Sequence, residues 1–163
     1  MSQALLMISR SIICLVMLTL PYLLSDSARL LRRAFDARVR ELGMTSPQAR
    51  LLLILHHTEG ENQGFYAERL EVEPISLTRM IDRMEESDLI ARHRDPNDRR
   101  AWRLHLTDRS RQVIDQVRAC LADLEDEMLA GLDPAKRAAL AEMLETIREN
   151  FSNARAGLEL THG

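Results

Sequence analysis

The chain has 163 residues, of which 45% are hydrophobic and 29% charged, and its formal net charge is −3. That length and apolar content suffice for one domain with a substantial core and leave too little chain for a second of ordinary size. The acidic balance excludes a sequence-blind coating of nucleic acid, which needs a broadly basic surface, but it allows a small basic footprint.

The first stretch, SIICLVMLTLPYLL over residues 11–24, is apolar and follows Arg10. It has roughly the length of a signal-peptide core and is short for a membrane span. A charged helical pattern begins directly after it, without a small-x-small cleavage site, so secretion is disfavoured and no stable membrane association is expected. Residues 1–16 read as an apolar extension ahead of a translation start at Met17, which N-terminal mass spectrometry of the native protein would test.

Residues 20–42 place Leu20, Leu23, Leu24, Leu30, Leu31, Phe35, Val39 and Leu42 mostly at three- and four-residue steps, the signature of an amphipathic helix, with Gly43 as its stop. TSPQARLLLILHH then supplies Ser46 as an expected N-cap and Pro47 at the first helical position. Its nearly all-apolar run has to be buried, which makes it the central core helix, and Gly60 breaks it. Two short helical patterns follow, QGFYAERL and PISLTRMIDRMEESDLI, separated only by EVE. Two short helices around a tight turn are a helix-turn-helix pattern.

After Ile90 the period changes. LIARHR and AWRLHLT alternate apolar and polar residues around DPND, a run of turn formers, and so predict a β-hairpin. The last two patterns are helical. One places Val113, Val117, Cys120, Leu121, Leu124 and Met128 on one face, and the other restarts at Asp133 as cap with Pro134 behind it and runs over residues 135–151. The predicted order is four helices, a hairpin and two helices.

The run LEVEPISLTRMIDRMEESDLIARHRDPNDRRAWRLHLTDRSR closely resembles the DNA-binding core of MarR-type transcriptional regulators, in particular their SlyA-like branch. The matching features are the helix LTRMIDRMEESDLI, the turn DPNDRR and the closing LHLTDRSR, and the looser match extends over residues 20–154. The resemblance implies a mainly α fold with a small β-hairpin. It would be a winged helix-turn-helix whose N- and C-terminal helices form a dimerisation region. One MarR-like domain would span residues 17–163, with the winged core at 44–107 and dimerisation helices at 17–43 and 108–156. The function implied is that of a cytoplasmic homodimer, usually a repressor, on pseudo-palindromic double-stranded operator DNA.

A helix entering the major groove turns side chains near its N-terminus toward base edges while its apolar face stays in the core. With Leu77, Ile81 and Met84 on one stripe, Ser76, Thr78, Arg79, Asp82 and Arg83 are left outside. Ser76 and Thr78 are candidates for phosphates or bases, Arg79 for a guanine edge, and Arg83 for either. The bland alternative, a solvated amphipathic helix, is outweighed by the basic hairpin beside it. Five arginines, Arg92, Arg94, Arg99, Arg100 and Arg103, surround that hairpin against only Asp95 and Asp98. A narrow minor groove concentrates negative potential, so Arg100 at the tip is the candidate for insertion. The resemblance implies that Asp98 steadies its guanidinium. Arg94 and Arg99 are expected on phosphates, Gln63 is a weaker phosphate candidate, and Arg92 and Arg103 are read equally well as surface residues.

The family often binds phenolic or aromatic carboxylates. By resemblance Arg29 and Arg32 are candidate receivers of a carboxylate, with His56 as neighbour, although exposed arginines in surface ion pairs are the commoner finding. Cys14 and Cys120 lie far apart without CxxC or Cys/His clustering, so no disulfide framework, zinc site or reactive-thiol sensor is indicated. No cofactor is expected. Catalysis is disfavoured too, because no glycine-rich phosphate loop, nucleophile elbow, HExxH or paired-carboxylate setting is present. A helical interaction module anchored by its N-terminus is the third alternative, which a soluble dimer would exclude.

Overall fold

The computed structural model describes residues 19–96, 98 and 101–161, with side chains through residue 153. Residues 1–16, Met17 and Cys14 lie outside the described residues. The elements are α1 (Leu20–Glu41), α2 (Ser46–His57), α3 (Gln63–Leu70), α4 (Pro74–Glu86), β1 (Ile90–Arg94), β2 (Trp102–Leu106), α5 (Asp108–Met128) and α6 (Pro134–Thr161). This is the predicted order, mainly helical with one antiparallel hairpin. Two compact units divide the chain, one ending at Leu124 and one beginning at Glu125.

In the first unit the core forms under α2. Leu51, Leu52 and Leu55 are wholly buried, joined by Tyr66 from α3, Leu77, Ile81 and Met84 from α4, and Ile90 and Leu104 from the hairpin. From α5, Ile114 and Val117 close it, and from α1 Val39 is buried with Phe35 packed beside it. The apolar run of α2 is therefore central, as its composition requires.

Local signals explain the boundaries. Gly43, with φ of 76°, ends α1 in the left-handed region. The N-cap of α2 is Thr45, one residue before the expected Ser46, which instead is the first residue of the helix. Gln48 explains the shift. Its Oε1 accepts the Thr45 backbone N–H at 2.8 Å and the Thr45 hydroxyl at 3.0 Å, the Gln half of a capping box. The Ser46 hydroxyl is thereby free to donate to Asp36 Oδ1 and fasten α2 to α1. At α3, Asn62 caps by accepting from the Phe65 N–H at 3.1 Å.

Strands β1 and β2 pair in the register Ile90↔Leu106, Arg92↔Leu104 and Arg94↔Trp102. The far edge of β2 is also occupied. Gly60 donates its N–H to Leu104 O at 2.9 Å, the Leu104 N–H donates to Glu61 O at 3.1 Å, and Asn62 bridges Arg103. Glu59 extends this seam by accepting the Leu106 N–H at 2.7 Å through Oε1 and facing Arg111 at 3.4 Å through Oε2. Tyr66 completes it from below: its buried hydroxyl donates to Thr58 O at 2.8 Å and accepts from the Glu61 N–H at 3.2 Å. Burial raises its pKa, so it stays a neutral donor.

The second unit begins in the last turn of α5. There Arg137 donates to the carbonyls of Leu132 at 3.0 Å and Leu129 at 3.2 Å, tying α6 to the turn that follows α5. Asp133 caps α6 as expected, accepting the Lys136 N–H at 2.9 Å, and the hydrogen bonds from Lys136 lower its pKa. Helix α6 runs ten residues past the expected end. Among its described side chains none is buried, and Met143, Leu144, Ile147 and Phe151 are exposed.

Candidate nucleic-acid interface

Helix α4 carries the largest amphipathic contrast of the DNA-reading candidates. Leu77, Ile81 and Met84 point into the core, whereas Ser76, Arg79, Asp82 and Arg83 are exposed and Thr78 is half-buried. Pro74 opens the helix without sacrificing an N–H that would have found a partner in the helix. The outward row is thus the one that the three-and-four spacing predicts.

Thr78 meets Gln63 across the helix-turn-helix. Its hydroxyl lies 2.9 Å from Pro74 O and 3.3 Å from Gln63 Oε1, so the start of α3 and the second turn of α4 present these two candidates side by side. They share one wall of an open groove of about 570 Å³ with Asp82, Glu85, Arg92 and Trp102. The groove therefore runs between the outer row of α4 and the base of the hairpin.

The hairpin arginines divide into distinct groups. Arg92 is held by Asp82 at 2.5 Å and Glu85 at 2.7 Å, with its side chain only 16% exposed. Burial works against its charge, but the hydrogen bonds it donates to the two carboxylates outweigh that, and its pKa lies above the ordinary arginine value. Arg103 donates through Nε to Asp95 at 2.7 Å, and that hydrogen bond likewise raises its pKa. These two side chains serve the protein's own carboxylates. The Arg94 guanidinium lies 4.5 Å from the centre of the Trp102 ring, a cation–π arrangement at the base of the wing.

Beyond Arg94 the chain turns back on itself through Asp95 N–H to Ala101 O at 3.1 Å and Ala101 N–H to Asp98 O at 3.0 Å. The Asp98 N–H also donates to Asp95 Oδ1 at 3.3 Å. Arg99 and Arg100 lie outside the described residues, and with them the expected Asp98–Arg100 pairing.

The expected effector residues are arranged differently. Arg29 donates to Asp26 at 3.0 and 2.5 Å, Arg32 is exposed, and His56 stands at the exposed end of α2 with its ring 5.7 Å from that of His57. No described hydrogen bond or ion pair joins Arg29 or Arg32 to His56, and none of the three lines the groove beside α4. Cys120 is a half-buried free thiol. Among the described residues no group of three His, Cys, Asp or Glu side chains is placed to hold a metal, and no helix is long and apolar enough to cross a membrane.

Three features of this surface escaped the sequence. Ile75, in the first turn of α4, is 62% exposed, off the buried stripe and beside Ser76, where an apolar side chain is suited to a thymine methyl. Trp102 shares the strand parity of the buried Leu104 and Leu106, so alternation alone puts it inward, yet it is exposed and faces the groove. The ties from Arg92 to α4 cross seven and ten residues of sequence, beyond the reach of any periodicity.

The MarR family model matches residues 44–102, the span from the end of α1 to the start of β2. The chain is similar to the transcriptional repressor CouR, solved bound to a 23-mer DNA duplex. That match has 31% identity over 80% of this chain and 92% of the other, with a TM-score of 0.71. A solved MarR matches at 27% identity over 85% of this chain and 95% of its own, with a TM-score of 0.75. A mutant MarR from E. coli, complexed with operator DNA, shares the fold at 23% identity, covering 80% and 94% of the two chains with a TM-score of 0.69.

Proposed function

The chain belongs to the MarR family, whose members are DNA-binding transcriptional regulators and not enzymes. On that premise we propose that it is a repressor of the SlyA-like branch that binds a pseudo-palindromic operator as a homodimer and is released by a small aromatic or phenolic acid. The observation that carries this reading is the outer face of α4, where Ser76, Arg79 and Arg83 stand exposed over a fully buried Leu77–Ile81–Met84 stripe, flanked by a basic hairpin.

In this reading Arg79 reads a base edge, with Ser76, Thr78 and Arg83 beside it. Gln63, Arg94 and Arg99 meet phosphates, and Arg100, steadied by Asp98, enters the minor groove. Residues 44–107 are the DNA-binding core. Residues 17–43 and 108–156 form the dimerisation region, for which the exposed leucines of α1 and the apolar row of α6 supply the surface. Pairing is required because one module gains little affinity alone, whereas two half-sites about one helical turn apart are read together. CouR in its DNA complex is a repressor, which supports the sign of regulation. The effector's carboxylate falls to Arg29 and Arg32 with His56 nearby. Benzoate-type acids that leave operator binding of the wild type unchanged would remove that part.

The test is selection from a random duplex pool by the full-length protein, with Arg100→Ala in parallel. The wild type is expected to enrich an inverted repeat, and Arg100→Ala to bind it far more weakly while remaining a folded dimer. Equal affinity of the two at near-physiological salt would defeat the wing assignment. No enriched repeat from a folded wild-type dimer would defeat the regulator reading.

A further inference from the structure

We propose that Arg92 is a positioning residue for DNA recognition: by bridging Asp82 and Glu85 it latches the hairpin to the recognition helix α4 and fixes where the tip points. The inference rests on the DNA-binding reading above.

Asp82 and Glu85 are three residues apart, so both carboxylates project from the same side of α4, toward β1. Arg92 reaches them with separate nitrogens, Nη2 to Asp82 at 2.5 Å and Nη1 to Glu85 at 2.7 Å, and its own backbone N–H donates to Glu85 Oε1 at 3.3 Å. Glu85 thus grips strand and side chain together. A planar guanidinium serves this double engagement where the point charge of a lysine would not.

A direct contact between Arg92 and phosphate is a poor account of the same residue. Its side chain is 16% exposed, both terminal nitrogens are engaged, and Nε is buried without a partner. A surface ion pair of no consequence fits no better, because this one joins two elements that read different grooves. The hairpin is also held by Ile90 and Leu104 in the core and, along β2, by the backbone bonds of Leu104 to Gly60 and Glu61 and the Asn62–Arg103 bridge. On the β1 side Arg92 adds a charged tie to α4. From Arg92 to Pro96 the chain advances about 13 Å at about 3.3 Å per residue, so a rotation of about 10° at the latch displaces the tip by about 2 Å. Recognition geometry tolerates about 0.5 Å.

The chain's sole tryptophan reports on this directly, since Trp102 is 37% exposed and lines the same groove as Arg92, Asp82 and Glu85. The experiment uses full-length wild type, Arg92→Met and the double variant Asp82→Asn/Glu85→Gln. Thermal melting and acrylamide quenching of Trp102 are measured without DNA, followed by titration of the selected duplex. Both variants are expected to stay folded, to show altered Trp102 quenching, and to bind about tenfold more weakly, the size of coupling effects from residues that do not touch the ligand. The double variant decides the mechanism by sign. Removing two negative charges beside DNA tightens binding if the carboxylates only repel phosphate, and weakens it if they hold the latch. Tighter binding, or unchanged Trp102 quenching in both variants, overturns the proposal. If Arg92→Met does not fold, the double variant carries the test from the other side of the bridge. If the wild type selects no duplex, the DNA-binding reading fails, and the quenching data still decide whether the bridge holds the hairpin.

Discussion

The span from α2 to β2 and the outer helices α1 and α6 are built from the same three-and-four spacing of apolar residues, yet the spacing meets two fates. In α2 and α4 the stripe is sealed, with Leu52, Leu55 and Ile81 at 0% exposure. In the first half of α1, Leu20 is 81% exposed and Leu24 40%, and in α6 Phe151 is 72% exposed. One stripe in α1 even changes character along its length, buried at Val39 and open at Leu31 and above. Amphipathic periodicity therefore specifies a face and leaves its partner open. The first region finds that partner within its own chain, whereas the second leaves its apolar side chains exposed.

The sharpest way to break this contrast is to charge the open stripe. Leu24→Glu together with Leu31→Glu is expected to give a folded monomer by sedimentation and to lower operator affinity by a factor of about 10² or more, the contribution of linked half-sites. A dimer that survives both changes would place the second copy elsewhere. The converse substitution, Leu52→Ala in the sealed stripe, should cost about 2–5 kcal/mol of stability in urea unfolding, because it leaves a cavity in a filled core. A loss below about 1 kcal/mol would mean that the core is less tightly closed than its burial states. Smallest is Arg79→Ala, on the outer surface of the sealed region. It should leave melting and dimerisation alone, cost about 1–3 kcal/mol of operator affinity and relax preference at one position per half-site. An equal loss on every sequence would make Arg79 a phosphate contact instead.

Most of the fold was legible from residues in order, because helix stripes, strand alternation and caps are local. Leu77, Ile81 and Met84 could be placed inward and Ser76, Arg79 and Arg83 outward from spacing alone. Even the misplaced cap had a local signal, since Thr45 and Gln48 stand at capping-box spacing. Ile114 was absent from the expected face of α5, although it is buried and Met128 is half exposed, because the expected stripe was drawn a few tens of degrees off the true one. What was hidden is non-local. The backbone bonds from Gly60 and Glu61 to β2 involve no distinctive side chain, and the double engagement of Arg92 depends on where β1 lies against α4. The arginine cluster announced an interface but not the division of labour within it, in which Arg92 and Arg103 are taken up by internal carboxylates.

The seam along the hairpin bears on how the molecule behaves when crowded with its own kind. A two-stranded sheet offers two rows of unsatisfied peptide groups to any passing strand, the usual entry point for edge-to-edge aggregation. Here the outer row of β2 is occupied by the Gly60–Asn62 segment, and on β1 the outward N–H of Arg92 is already taken by the Glu85 carboxylate among flanking charged side chains. The exposed wing is thus guarded against strand addition by the same residues that aim it.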